Sequence, residues 1–174
     1  MKVLIIFETI EGQTGKIVDF VQTQVVAAGH VVERVNTSDR SAVVSYEGVD
    51  KIILAAPVHE RRHPKAFEVF VLADRDRLKT HKTLMLSVSL KAAFESGIEE
   101  AAEFLTDMEM RTGFVATQSA LVAGAVRQSS YDYFSTQILR HVVLRGQDAK
   151  FAQGDHEFTD WDALQADIAA FLDL

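Results

Sequence analysis

The stretch "ETIEGQTG", residues 8–15, directly follows the apolar run "VLIIF". Thr9 and Thr14 supply hydroxyls, Gly12 permits close backbone approach, and a helical pattern begins where the stretch ends. The first turn of a helix presents N–H groups without intrahelical acceptors and a partial positive charge, so an anion is favoured there. A short hydroxyl-rich loop of this kind suits one terminal phosphate. The spacing matches neither Gly-x-x-x-x-Gly-Lys-Ser/Thr nor Gly-x-Gly-x-x-Gly, which weakens nucleoside triphosphate and dinucleotide readings. A plainer use of the same residues is Thr14 as a helix cap and Gly12 as a turn. Two carboxylates, Glu8 and Glu11, stand where a bound phosphate wants none, and Glu8 is expected to repel it.

A second group is the run "HERRH", which sets His59, Arg61, Arg62 and His63 together in an otherwise acidic chain. Guanidinium pairs well with carboxylate, so Arg61 and Arg62 are candidates for holding an acidic substrate; a solvated loop is the plainer alternative. His59 and His63 would be metal-ligand neighbours only on a helix, and Pro64 argues against one there. A third run, "SLKAAFE", offers Ser89, Leu90 and Lys91, the lysine either facing a bound ring or simply solvated.

Positioning these groups requires strands and helices in alternation. Residues 3–7, 51–56, 83–88 and 119–123 read as buried strands, and residues 31–35 as an edge strand. A helix is expected over 14–28 and stops at Gly29. A second starts at Pro64 with Phe67, Phe70, Val71 and Leu78 inward, and a third opens with the capping-box spacing of Ser96 and Glu99, burying Ile98, Ala102 and Leu105. An apolar helix over about 131–144 and a last one over 160–171, capped by Thr159, complete the pattern. The expectation is a doubly wound five-stranded parallel sheet of order 2-1-3-4-5 with helices on both faces. Its ligand end gathers loops 8–14, 57–63 and 89–95.

The 174 residues are 48% apolar, enough for one domain with a hydrophobic core. The chain has no cysteine, which excludes disulfides, thiolate metal sites and cysteine nucleophiles and fits a reducing cytoplasm. The net charge of −7 speaks against nucleic acid as a partner. Neither a signal peptide nor a membrane span is expected from the apolar runs.

"ETIEGQTGKI" resembles the FMN-phosphate loop of flavodoxins, in the version found in the flavodoxin-like, menaquinone-dependent protoporphyrinogen IX dehydrogenases. "LVAGAVR" (121–127), "FTDW" (158–161) and Ala66-Phe67 are similar to that family's motifs, so the resemblance spans nearly the whole chain, 1–174, with a family-type insertion at about 127–157. It implies FMN as cofactor, with contacts from Thr9, Ile10, Glu11, Gly12, Gln13 and Thr14. It also implies a flavin ring between Pro57, Val58 and His59 on one side and Ser89, Leu90 and Lys91 on the other. The implied reaction oxidises a porphyrinogen and passes electrons to a quinone, with Arg61, Arg62 and Arg127 on the substrate side and no side chain as general base. The chain departs from the family at Glu8, where Ser or Thr is usual, and in the "PVHERRHP" loop.

Two other functions stay open. One is a flavodoxin-type electron carrier that docks a redox protein; the other is a binding module that has lost FMN. The segment 131–145 is read either as a core helix or, as the resemblance implies for quinone access, as an interfacial or partner-binding helix, with at most peripheral contact at the inner face of a membrane. A homo-oligomer is left open as well.

Overall fold

The structure, a computed structural model, describes residues 1–39, 41–126 and 155–174. Five parallel strands form its sheet: β1 (Lys2–Phe7), β2 (Val31–Asn36), β3 (Lys51–Pro57), β4 (Lys82–Ser89) and β5 (Gln118–Ala123). Their order is β2-β1-β3-β4-β5, as the alternation of elements leads one to expect. Among the described residues four helices cover the sheet: α1 (Gln13–Ala27), α2 (Lys65–Leu78), α3 (Ile98–Thr112) and α4 (Trp161–Asp173).

Period-two alternation along the central strands divides the core. Val3, Ile5 and Phe7 of β1 pack with Ile17, Val18 and Val21 of α1 and with Leu164, Ile168 and Phe171 of α4. Leu4 and Ile6 point the other way, onto Phe67 and Val71 of α2 and Leu105 and Met108 of α3. Each such side chain, fully withdrawn from water, contributes about 1.5–3 kcal/mol relative to an exposed one. Because both faces are covered, the central strands β1, β3 and β4 are largely apolar and buried, and the two edge strands, β2 and β5, are mixed.

Lys51 opens β3 yet is buried, with its ammonium donating to the carbonyls of Phe171 (2.9 Å) and Leu172 (2.6 Å). A cation at the last carbonyls of a helix meets both unpaired acceptors and the negative end of the dipole. The last helix is thereby fastened to the centre of the sheet.

Three details differ from the sequence expectation. In α3 the buried face is Ala101, Phe104, Leu105 and Met108, whereas Ile98 is 41% exposed and Ala102 is exposed. Two single 3-10 turns, Lys91–Ala93 and Glu95–Gly97, precede the helix, and Gly97, not Ser96, is its N-terminal flank. At α4 the capping side chain is Asp160, which accepts from the Ala163 amide at 3.0 Å, because the Thr159 hydroxyl is used elsewhere. At α1 the N-cap is Gly12, in the left-handed region with φ 89°, so Thr14 lies inside the first turn.

Beyond β5 a short strand β6 (Ala125–Val126) pairs antiparallel with β7 (His156–Glu157). Arg127 and the expected helix over 131–144 lie outside the described residues.

Candidate functional site

The chain leaves β1 at Phe7 and turns into α1 through Gly12, whose positive φ of 89° a residue with a Cβ adopts only under strain. Among the described residues nothing lies within 4 Å of where a Cβ would project from Gly12. The Thr9 hydroxyl accepts from the Gly15 amide at 3.2 Å and curls the loop over the helix start. The first intrahelical bond to Gly12 runs from the Lys16 amide to its carbonyl at 3.0 Å, so the amides before it have no intrahelical acceptor. Thr14 is 2% exposed and its hydroxyl has no partner among the described residues. The first turn of α1 carries no acidic residue.

Both carboxylates that made this loop suspect have partners. Glu8 is buried and accepts from the Thr37 hydroxyl at 2.7 Å, at the exit of β2. Glu11 lies 3.0 Å from His59 Nε2, across the gap to the loop after β3. That bond to Glu11 raises the His59 imidazole above its ordinary value. What remains on the loop is a set of hydroxyls and helix-end amides, a donor set that fits a phosphate.

Gln13 is buried, and its side-chain amide donates to the Thr159 hydroxyl (2.9 Å) and to Glu157 (3.3 Å). Thr159 passes the bond on to the Ala123 carbonyl at 2.7 Å. Glu157 also takes the Lys16 ammonium at 2.5 Å and the Trp161 indole N–H at 3.1 Å. The side chain of Gln13 therefore serves the join between the loop and the returning chain. Ile10, in contrast, is 54% exposed on the outer side of the loop.

The loop after β3 closes as a two-residue turn. His59 and Arg62 exchange backbone bonds of 2.8 and 3.0 Å, and the residues between them, Glu60 and Arg61, have φ of 49° and 64°. Turns of this kind prefer Gly or Asn, so the left-handed pair here has to be held by its surroundings. Carboxylates from other elements hold the basic run. Arg61 bonds Glu100 of α3 and sits 5.2 Å over the Phe104 ring. Arg62 bonds Glu68 of α2 at 2.6 Å, and Arg111 of α3 takes the same carboxylate at 2.7 Å. Pro57 and Val58 are half-buried beneath, with the Val58 amide bonded to the Val88 carbonyl at 2.7 Å. His63 is buried, its Nε2 3.0 Å from the Ser87 hydroxyl and its Nδ1 without a partner among the described residues. Burial pushes this imidazole down to about 4.

In the loop after β4, Ser89 is buried and its hydroxyl accepts from the Ala92 amide at 3.2 Å. Leu90 is half-buried. Lys91 pairs with Glu100 at 2.8 Å, so Glu100 joins this loop to the one carrying Arg61. The bonded Lys91 ammonium is the main reason that the Glu100 carboxyl lies below its usual range. Phe94 packs edge-on to Phe158 at 5.4 Å.

Thr9 through Thr14, Pro57 through Arg62 and Ser89 through Lys91 thus meet at one end of the sheet, as expected, while Arg127 lies outside the described residues. Thr37, Glu68, Glu100 and Glu157, which order this end, were not singled out from the sequence. Each acts across a long stretch of chain, and only the paired Glu99-Glu100 at a helix start gave any local signal.

A parallel sheet in this order, with an anion-receptive first turn, is a doubly wound nucleotide-binding type of architecture. The chain belongs to the flavodoxin domain family, whose description matches residues 4–152. A curated relative, the protoporphyrinogen IX dehydrogenase [quinone] of Escherichia coli (strain K12), is 23% identical over 163 residues, covering 93% of this chain and 90% of its own. Among solved structures, oxidised flavodoxin 1 from Bacillus cereus superposes with a TM-score of 0.59 at 15% identity, over 99% of this chain and 98% of that one. The Fusobacterium nucleatum flavodoxin bound to flavin mononucleotide gives 0.51 at 13% identity, over 99% and 95%.

Proposed function

We propose that this chain binds FMN at the carboxyl end of its sheet and acts as an oxidoreductase of the protoporphyrinogen dehydrogenase type. The observation that carries the reading is the withdrawal of Glu8 and Glu11 into bonds with Thr37 and His59. It leaves the hydroxyls of Thr9 and Thr14 and the helix-end amides around Gly12 and Gln13 to receive the phosphate, with Ile10 as backbone. Pro57, Val58 and His59 on one side and Ser89, Leu90 and Lys91 on the other would hold the ring.

The flavin, when bound, supplies the electron-accepting chemistry. The protein's share is position and charge: helix-end amides for the phosphate, and loops braced by Glu11, Glu68 and Glu100 for the ring. Porphyrinogen as substrate and quinone as acceptor are supported by the relative from Escherichia coli, matched over 90% of its length. Arg61 and Arg62, candidates for holding propionates, each already bond a carboxylate, so substrate contact through them would be shared with Glu100 and Glu68. Arg127 is proposed on the substrate side from the family resemblance alone. Among the described residues no helix is long and apolar enough to cross a membrane; a cytoplasmic place, with peripheral contact at the membrane for quinone access, belongs to this proposal.

The test starts with the purified protein: flavin absorption bands, then titration of the apo form with FMN. Absence of binding would sink the reading. If FMN binds, porphyrinogen oxidation with a quinone acceptor is expected. Rapid one-electron exchange with a reductase and no porphyrinogen turnover would instead identify an electron carrier.

A further inference from the structure

Glu100 occupies the first turn of α3, and its side chain is 26% exposed. It is the meeting point of two loops that are otherwise far apart in sequence. Arg61 reaches it from the loop after β3, and Lys91, 24% exposed, reaches it at 2.8 Å from the loop after β4. One turn further along α3, Phe104 lies beneath the Arg61 guanidinium at 5.2 Å, so Glu100 and Phe104 form a socket for that side chain.

Exposed ion pairs singly contribute little, and Arg61 is 67% exposed. Two features make this one different. The carboxylate has two cationic partners on separate backbones, so ordering it once serves both. Arg61 also sits at φ 64° in a turn that does not favour its residue type, and its anchorage holds the turn in place. Gly97 lets the loop after β4 close onto the base of α3, for a Cβ there would collide with the Lys91 carbonyl oxygen. The loop backbone and the Glu100 carboxylate therefore approach Lys91 together.

We propose that Glu100 is a positioning residue that fixes the two ring-facing loops at one spacing and offsets one of the two positive charges they carry, so that it sets the slot's affinity for flavin and its preference between the oxidised and reduced forms. This rests on the FMN reading above. A flavin gains negative charge on reduction, and uncompensated cations beside it favour that state. With Glu100 in place, the cluster of Arg61, Lys91 and Glu100 keeps one net positive charge and a smaller bias. Without the Glu100 charge the two cations offer more, while the loosened loops grip either form less well.

The test compares wild type, Glu100→Gln and, as a control, Glu99→Gln, which removes an equal charge from an exposed neighbour that pairs with neither loop. Trypsin cleaves after Arg and Lys, so limited proteolysis of the apo proteins reads the tether without any flavin. Cleavage after Arg61 and Lys91 is expected to rise about fivefold in Glu100→Gln, the effect of losing two modest pairs, and to stay put in the control. Unchanged cleavage overturns the tether.

FMN titration and equilibrium reduction against a reference dye then read the charge. Glu100→Gln is expected to weaken oxidised FMN and to raise the ratio of reduced to oxidised affinity about tenfold, about 30 mV for a two-electron couple. An unchanged ratio, or an equal shift in Glu99→Gln, overturns the redox role. Wild type that takes up no FMN sinks the flavin reading and the redox half with it, while proteolysis still decides the tether.

Discussion

The carboxylate of Glu8 accepts a hydrogen bond from the hydroxyl of Thr37 at 2.7 Å, joining the exits of β1 and β2. A residue that reads in the sequence as an intruder in a phosphate loop is, in the fold, a clasp between neighbouring strands.

Thr37→Val removes the donor and leaves a buried carboxylate without it. Stability is expected to fall by about 1.5–3 kcal/mol, the range for hydrogen bonds to charged groups. FMN binding should weaken as the carboxylate is set loose. Glu8→Ser, in contrast, is expected to leave the FMN affinity within about threefold, or about 0.7 kcal/mol. Isothermal titration of both variants decides it; a large gain on Glu8→Ser would mean that repulsion acts despite the clasp.

The two histidines titrate in opposite senses. His63 is held down to about 4 by burial. Below its ordinary value near 6.5 the unfolded chain takes up the proton first, so stability is full above that pH and is lost as pH falls towards 4. The loss integrates to about 3 kcal/mol. Urea melts at a series of pH values should show this slope in wild type and a flatter one in His63→Gln. His59 is raised by its bond to Glu11, so its contribution is present below 6.5 and fades as pH climbs through the raised value. An imidazole proton NMR titration should place His59 above its ordinary value in wild type and lower in Glu11→Gln; equal values in the two proteins would rule the pairing out.

Lys51→Met keeps most of the buried stem and removes the ammonium that serves the Phe171 and Leu172 carbonyls. The expected cost is about 1.5–3 kcal/mol, or roughly 2–4 °C of melting temperature per kcal/mol in a chain of this size. Amide exchange in α4 should accelerate more than in α2. A uniform change, or none, would count against Lys51 as the anchor of that helix.

Gly97→Ala forces a methyl group against backbone, which cannot swing aside as a side chain would. A loss of about 1–3 kcal/mol is expected, together with weaker FMN binding as the loop around Lys91 shifts. Thermal melts and FMN titration give both numbers. An unperturbed variant would show that this loop has slack.

Strand positions were legible because buried parallel strands are short runs of branched apolar residues: 3–7 and 51–56 fall within a residue of β1 and β3. The phase of α3 was not. Its first turns offer Ile98, Ala101, Ala102, Phe104 and Leu105, an apolar arc too wide to fix a rotation, and the packing of Phe104 and Met108 decided it. The Thr159 hydroxyl was a sound local cap, but Gln13 and Ala123 compete for it from distant parts of the chain. The same reason hid the fate of the basic run. A sequence shows that His59, Arg61 and Arg62 are cationic; it does not show that Glu11, Glu100 and Glu68 come to meet them.

The pairing of β6 with β7 has an engineering consequence. Val126 stands opposite His156 and Ala125 opposite Glu157, so the chain departs and rejoins across a gap of about 5 Å, the spacing of antiparallel partners. A linker joining Val126 to His156 would therefore have only that gap to span.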